Sequence, residues 1–189
     1  MCPLLFILKD SKHINAEGKT FKDFMNGKID LIKNQKPTAY DFNNHLSTVF
    51  TEVRLKQYIE IRSIDTCEWD CHCSGPAFYT GLIYGALDEA FEIIQNWNIY
   101  DVLNAYAEAP KKGLNTVINN KKLLEWGKIF LKLSKQGLQK RSFINDNGKD
   151  ESIFLRNIES ILANNETKAD IIIKKFLTHK NLDFLYEKI

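Results

Sequence analysis

Hydrophobic residues in the first quarter of the chain form short apolar runs separated by polar stretches. The run LLFIL at residues 4–8 predicts a short buried strand, and the turn-forming residues that follow it predict a loop or the return strand of a hairpin. Thr20 is a typical N-cap for a short helix over residues 21–28, which Gly27 would end. Residues 41–50 place apolar side chains at helical spacing and predict a second helix.

Helical periodicity dominates the chain beyond residue 76. Pro76 suits the first turn of a helix, in which Gly81 and Gly85 lie four positions apart and would let another element approach closely. Six further amphipathic segments predict helices at residues 87–97, 99–107, 121–136, 151–163, 168–177 and 182–189. Because only two or three strands are visible among these helices, the pattern predicts a mostly helical α+β fold.

Composition narrows the class of protein. The 189 residues are 44% hydrophobic and 26% charged, with a net charge of +2, which is typical of one globular domain or of half a larger one. Basic residues form no stripe, so we expect no nucleic-acid partner. Charges interrupt every apolar run, so we expect no membrane segment. The N-terminus lacks the basic region of a signal peptide, so we expect a cytoplasmic protein with reduced cysteines.

A charged strand is the first candidate for chemistry. Residues 58–65 (YIEIRSID) predict a strand in which Glu60 and Arg62 share one face, and Ile59 and Ile61 share the other, which we expect to be buried. A carboxylate suits Mg²⁺, and a guanidinium forks onto phosphate oxygens, so this pairing suits phosphoryl transfer. The same pattern is also typical of a solvated strand face that carries a cross-strand ion pair. The spacing alone leaves both interpretations open.

The segment CEWDCHC at residues 67–73 is the second candidate. Cys67, Cys71, His72 and Cys73 invite a zinc site, but such sites draw ligand pairs from two separate segments, and Cys2 is isolated. A redox role would require a thiol of lowered pKa. We favour the interpretation that this segment is a loop leading to the next helix, in which the cysteines have no chemical role.

Residues 45–85 resemble a known family. The stretch HLSTVFTEVRLKQYIEIRSIDTCEWDCHCSGPAFYTGLIYG is similar to the signature of the plant and proteobacterial type of glutamate–cysteine ligase. The similarity extends to residues 3–28 and 151–176. It implies a glutamine-synthetase-like α+β fold, in which an antiparallel sheet cups the active site and helices lie outside.

The resemblance also implies an activity and roles for single residues. Such enzymes join the γ-carboxylate of L-glutamate to the amino group of L-cysteine, with ATP as a substrate and Mg²⁺ as a cofactor, through a γ-glutamyl phosphate. By position in the signature, Glu60 would be a Mg²⁺ ligand, and Arg62 would be the catalytic residue, in contact with the transferred phosphoryl group or the bound substrates. Arg54 and Lys56 would bind phosphate or substrate.

The departures from the family pattern set a further expectation. The G-x-E-x-E strand that supplies two more glutamates for the metals occurs nowhere in this sequence, and Ala16 and Leu31 stand where plant members have hairpin cysteines. Residues 1–189 are therefore expected to be the C-terminal half of the catalytic domain, without its N-terminal half. Such a chain would come from a split or decayed gene, or would act with a separate chain that supplies the missing half, and we expect it to have little or no activity alone. The alternative is a non-catalytic interaction protein that has kept the helical half of the fold.

Overall fold

The computed structural model describes residues 6–9, 12–16, 18–55, 57–65 and 67–186. The chain divides into two compact units, Met1–Asp65 and Thr66–Ile189. Both strands and helices occur in the first unit, whereas the second is almost entirely helical. The α+β fold class is confirmed.

The first unit contains two hairpins and two helices. Strands β1 (Phe6–Lys9) and β2 (Lys12–Asn15) pair antiparallel, with Ile7 opposite Ile14. Helices α1 (Phe21–Met25) and α2 (Ala39–Ser47) follow. Strands β3 (Val53–Leu55) and β4 (Ile59–Ile61) then form the second hairpin. The core of this unit is formed by five buried side chains: Ile7, Ala16, Phe24, Ile29 and Ile32.

Local hydrogen bonds explain why α1 begins where the sequence predicts. The Asp23 backbone N–H donates to the Thr20 hydroxyl, and the Asp23 carboxylate in turn accepts from the Thr20 backbone N–H at 3.0 Å. This reciprocal capping box satisfies donors that the first turn would leave unpaired. The bond from the Thr20 hydroxyl to Asp23 also holds the pKa of that carboxyl below its ordinary value. Gly27 follows with φ 66°, as expected of a helix stop.

The second unit is built around one long helix. Its helices are α3 (Ser74–Gly85), α4 (Leu87–Ile94), α5 (Ile99–Lys112), α6 (Leu123–Arg141), α7 (Arg156–Asn164) and α8 (Lys168–His179), and a short hairpin, β5 (Val117–Ile118) with β6 (Lys121–Lys122), precedes α6. Helix α6 supplies buried side chains to two clusters, Trp126 and Phe130 to one and Leu138 to the other. The Trp126 indole N–H donates to the Ile118 carbonyl at 2.9 Å, which ties the hairpin to α6.

Helices α3 and α6 approach closely at the glycines that the sequence singled out. A Cβ atom added at Gly81 would lie 2.2 Å from the Ser134 carbonyl oxygen, and one added at Gly85 would lie 2.3 Å from the Gly137 Cα. At the same contact, the buried Ser134 hydroxyl donates to the Phe78 carbonyl at 2.8 Å. The predicted close approach is confirmed, and the partner is α6.

Several predicted elements are shorter than expected. The strand predicted over residues 58–65 is shortened to Ile59–Ile61. The helix predicted over residues 151–163 begins as a 3₁₀ turn, Glu151–Leu155, before α7. The helix predicted at residues 182–189 is reduced to a 3₁₀ turn, Asp183–Leu185, and its last three residues lie outside the described part of the chain. In the described residues the strands form three separate two-stranded hairpins.

Candidate active site

The β3–β4 hairpin places the predicted site residues opposite one another. In its register Arg54 faces Glu60, while Val53 faces Ile61 and Leu55 faces Ile59. Because side chains alternate along each strand, Arg54 and Glu60 share one face of the hairpin. The four aliphatic side chains lie on the other face. Arg62, just beyond β4, has the same parity as Glu60 and lies on the charged face.

Glu60 lies between two arginines. The Arg54 Nε–H donates to Glu60 Oε2 at 2.7 Å, and Arg62 Nη1 donates to Glu60 Oε1 at 3.4 Å. In the Arg54–Glu60 pair neither side chain is fully solvated, because only 16% of Arg54 and 30% of Glu60 is exposed. The predicted juxtaposition of Glu60 and Arg62 is present, and Arg54 joins them through an ion pair across the strands. We call Arg54, Glu60 and Arg62 the charged cluster.

Two neighbours from the preceding segment orient the arginines. Arg54 Nη1 donates to the Ser47 carbonyl at the end of α2, at 3.1 Å. The Arg62 guanidinium lies over the Phe50 ring, 4.8 Å from its centroid, which is within the range of a cation–π contact. The Arg62 backbone N–H also donates to the Glu52 carbonyl at 2.8 Å, extending the pairing by one step. Both arginines are therefore held in place by more than their carboxylate.

The two arginines are the groups of the cluster that favour an anionic ligand. They flank the Glu60 carboxylate on a partly exposed surface, and Glu52, which lies opposite Arg62 with the parity of the same face, adds a second carboxylate there. A guanidinium carries five N–H donors and forks onto phosphate or carboxylate oxygens. The two arginines therefore supply the type of donor that such oxygens bind.

Sequence reasoning found some members of this site and missed others. It selected Glu60, Arg62 and Arg54, which the fold brings together, and Lys56, which lies outside the described residues. It did not predict that Phe50 would stack on Arg62, because Phe50 lies three residues before β3, where strand alternation assigns no face. No signal in the sequence could have identified Ser47, because its contribution is a backbone carbonyl.

The opposite face of the hairpin differs from expectation. The prediction that the isoleucines of residues 58–65 face a buried side is wrong for Ile59, whose residue is 60% exposed. Ile61 is only partly buried. The arginine side chains are instead the better covered, with 16% of Arg54 and 25% of Arg62 exposed.

The cysteine segment also differs from expectation. Cys67 and Cys71 form a disulfide, with Cα atoms 6.0 Å apart, whereas the exposed Cys73 is free and sits at the start of α3. The expectation of reduced cysteines is therefore wrong for this pair. The segment is a loop before α3, as predicted. It is joined to the later helices by the Asn157 side-chain amide, which donates to the Asp70 carbonyl at 2.9 Å.

We expect alkylation to detect this disulfide directly. In protein purified without reductant and denatured, Cys73 should react with iodoacetamide, whereas Cys67 and Cys71 should react only after reduction. Fragment-ion mapping distinguishes the three positions. The variant Cys71→Ser provides the control, because it should render Cys67 reactive without reductant. Full alkylation of Cys67 and Cys71 before reduction would contradict the pairing.

Among the residues that the structure describes, no three histidine, cysteine or acidic side chains lie close enough together to hold a metal ion. Glu60 lies within the charged cluster, and a carboxylate offers about four lone-pair positions. Since Mg²⁺ is commonly held by one or two carboxylates together with substrate phosphates and water, Glu60 fits as one ligand among several. Its assignment as a metal ligand stays a prediction.

Comparison with known proteins identifies the family that this chain matches. The model of "Glutamate-cysteine ligase family 2 (GCS2)" matches residues 9–188. A chloroplastic glutamate–cysteine ligase of Solanum lycopersicum is 32% identical over 176 residues, covering 92% of this chain and 32% of the relative. Glutamate–cysteine ligase A of Oryza sativa subsp. indica, also chloroplastic, is 30% identical over 191 residues, covering 99% of this chain and 38% of the relative.

These matches fix two further points. The chain spans about a third of the length of the relatives that it matches. The prediction of a cytoplasmic location is wrong, since these relatives and that of Arabidopsis thaliana are all named as chloroplastic enzymes. Within the described ranges, no helix has both the length and the apolar character needed to cross a bilayer.

Proposed function

Because this chain belongs to glutamate–cysteine ligase family 2, we propose that its charged cluster serves the ATP-dependent ligation of L-glutamate to L-cysteine. The observation that carries the proposal is the arrangement of Arg54 and Arg62 on either side of Glu60, with both guanidiniums anchored by further contacts. In the proposed arrangement, L-glutamate, L-cysteine and ATP are bound by the complete enzyme. This chain contributes one wall of its site.

The proposed chemistry has two steps. A γ-carboxylate oxygen of glutamate attacks the terminal phosphorus of ATP, ADP leaves, and γ-glutamyl phosphate forms. The amino nitrogen of cysteine then attacks the acyl carbon, inorganic phosphate leaves with the electrons of the broken C–O bond, and the nitrogen loses a proton. Such transfers depend mainly on aligning oxygens and neutralising their charge. Two fixed guanidiniums can do both.

Within this scheme each residue of the cluster has a defined task. Arg62 is the proposed catalytic residue, contacting the transferred phosphoryl group, and Arg54 binds phosphate or substrate oxygens. We assign Lys56 the same binding role. Glu60 orients both arginines and is the residue that would hold Mg²⁺, which when bound neutralises phosphate charge. One carboxylate is a small share of an octahedral shell, so further ligands have to come from ATP, water and other polypeptide.

We further propose that activity needs polypeptide corresponding to the two thirds of the relatives that this chain does not match. That polypeptide is encoded with this chain in one reading frame or in a second one. We refer to the assembly of both parts, taken from the same genome, as the complemented protein. The glutamine-synthetase-like sheet implied by the family would then contain strands from both parts.

Activity measurements test the proposal. We expect the 189-residue chain alone to form no detectable γ-glutamylcysteine from glutamate, cysteine and ATP, and the complemented protein to form it with stoichiometric release of ADP and phosphate. In the complemented protein, Glu60→Gln should abolish product formation, because it leaves two guanidiniums without their counter-charge.

The outcomes separate the proposal from its alternative. A genome without any polypeptide that matches the remaining two thirds, or a complemented protein without activity, would favour a non-catalytic interaction protein. Activity of the isolated chain would contradict the need for a second part. Glu166→Gln serves as the control, since Glu166 is paired with Lys174 in the other unit, away from the charged cluster in sequence. It should retain activity.

A further inference from the structure

The β3–β4 hairpin exposes its apolar face. Leu55 is 81% exposed, and Val53 and Ile59 are each more than half exposed. The hairpin register places Leu55 opposite Ile59 and Val53 opposite Ile61, so these side chains form one contiguous patch. The charged face of the same hairpin is better covered. This is the reverse of the usual arrangement, in which the apolar face of an antiparallel sheet packs on a core.

Two strands of three residues cannot hold such an arrangement by themselves. A two-stranded hairpin is marginally stable in water, and independent stability needs more strands or a packed layer on the hydrophobic face. In the described residues β3 and β4 pair only with each other, so the outer edge of each strand is also open. An open edge beside an exposed apolar face is a typical template for association.

We infer that the apolar face of the β3–β4 hairpin, formed by Val53, Leu55, Ile59 and Ile61, is the docking surface for the polypeptide that completes the enzyme. The inference rests on the proposed function, because the complementing polypeptide is taken as the occupant. It goes further by naming the surface. The occupant is an apolar layer, a strand or helix face, contributed by the part of the family's length that this chain does not match.

Two observations favour this occupant over a second copy of the chain. The relatives are about three times as long as the matched segment, so in each of them this segment folds together with much more polypeptide. The charged cluster lies on the same two strands, so polypeptide docked on their apolar face would be held within reach of the substrates that the cluster is proposed to bind. A second copy would add no new type of residue to the site.

Cysteine labelling tests the inference without relying on activity. Leu55→Cys is introduced into the isolated chain and into the complemented protein, and maleimide labelling is followed at that position by mass spectrometry. We expect rapid labelling in the chain alone and at least tenfold slower labelling in the complemented protein. Leu31→Cys is the matched control, since Leu31 belongs to the same unit and is also largely exposed. It should be labelled at similar rates in both.

A charge substitution provides the second measurement. Leu55→Lys should weaken association of the two parts at least tenfold, whereas Leu31→Lys should leave it within about twofold. Equal labelling of Leu55→Cys in both forms would overturn the inference, as would unchanged association of Leu55→Lys. Protection already present in the isolated chain, together with a dimer that Leu55→Lys disrupts, would show a second copy as the occupant instead.

The two proposals fail in different ways. Protection of Leu55→Cys in a complemented protein that forms no γ-glutamylcysteine would contradict the proposed function and support the docking surface. An active complemented protein in which Leu55→Cys stays fully reactive would support the function and contradict the docking surface.

Discussion

Replacing Arg62 with lysine in the complemented protein is expected to lower kcat/KM by about 100-fold, equivalent to about 2.7 kcal/mol of transition-state stabilisation. Lysine keeps the positive charge, so a purely electrostatic role would leave most of the activity. It cannot, however, reproduce the planar fork that bonds Glu60 while lying over the Phe50 ring. The loss should therefore appear in kcat as well as in KM, because the fork is proposed to contact the transferred phosphoryl group.

The chain offers a matched control in Arg141. Its guanidinium also lies 4.8 Å from a phenylalanine ring centroid, that of Phe143, and it also pairs with a carboxylate, Glu151, at 3.2 Å. The side-chain exposures of Arg62 and Arg141 are 25% and 23%. Arg141→Lys should change thermal stability about as much as Arg62→Lys does, but it should leave kcat/KM within about twofold. Equal losses of activity in the two variants would remove Arg62 from its catalytic role.

Replacing Gly137 with alanine is expected to be the most destabilising of the conservative changes considered. The added Cβ would lie 2.0 Å from the Gly81 carbonyl oxygen, which is backbone of the facing helix. Helices α3 and α6 would therefore have to separate, and such overpacking typically costs about 1–3 kcal/mol. The helix propensity of alanine offsets up to about 1 kcal/mol of this cost. A contact of 2.0 Å to backbone places the cost at the upper end of that range, so we expect a net fall in the free energy of unfolding of about 2 kcal/mol, measured by urea titration of the helical circular dichroism signal.

Gly127→Ala is the control for this prediction, because it lies in the same helix. There the added Cβ would meet Leu162 Cδ2 at 2.7 Å, the end of a flexible side chain that can rotate away. The gain in helix propensity then acts against a smaller packing cost, and the variant should stay within about 1 kcal/mol of the parent. If Gly137→Ala were as stable as Gly127→Ala, the close contact between α3 and α6 would not exist as described.

Local sequence signals predicted the elements whose boundaries depend on local hydrogen bonds. The capping box of Thr20 begins α1, and Gly27 ends it. Each signal involves residues that are neighbours in sequence, so the sequence alone predicts both ends of the helix. The glycine pair in α3 was equally readable, although the sequence could not say which element approaches it. Ser134 and Gly137 occupy that position, more than fifty residues later.

The strand predictions were less accurate for a physical reason. A strand is stabilised by its neighbours, so its length and buried face depend on residues distant in sequence. In the sequence, Ile59 and Ile61 alternate with Glu60 as in a half-buried strand. The structure places the two isoleucines on the face opposite Glu60, as this pattern predicts. Which face is covered depended on tertiary contacts, and the better covered side chains are those of Arg54, bonded to the Ser47 carbonyl, and Arg62, stacked on Phe50. The disulfide between Cys67 and Cys71 similarly required the turn that brings their Cα atoms to 6.0 Å.

The sequence by itself determined the family, the mostly helical α+β class and the residues of the charged cluster, because these follow from residue identity and short-range spacing. Only the tertiary structure decided that Arg54 faces Glu60, that Ser47 and Phe50 anchor the arginines, and that the aliphatic face of the same hairpin lies open. Those properties depend on strand register and on packing between separate segments, which local residue patterns do not specify.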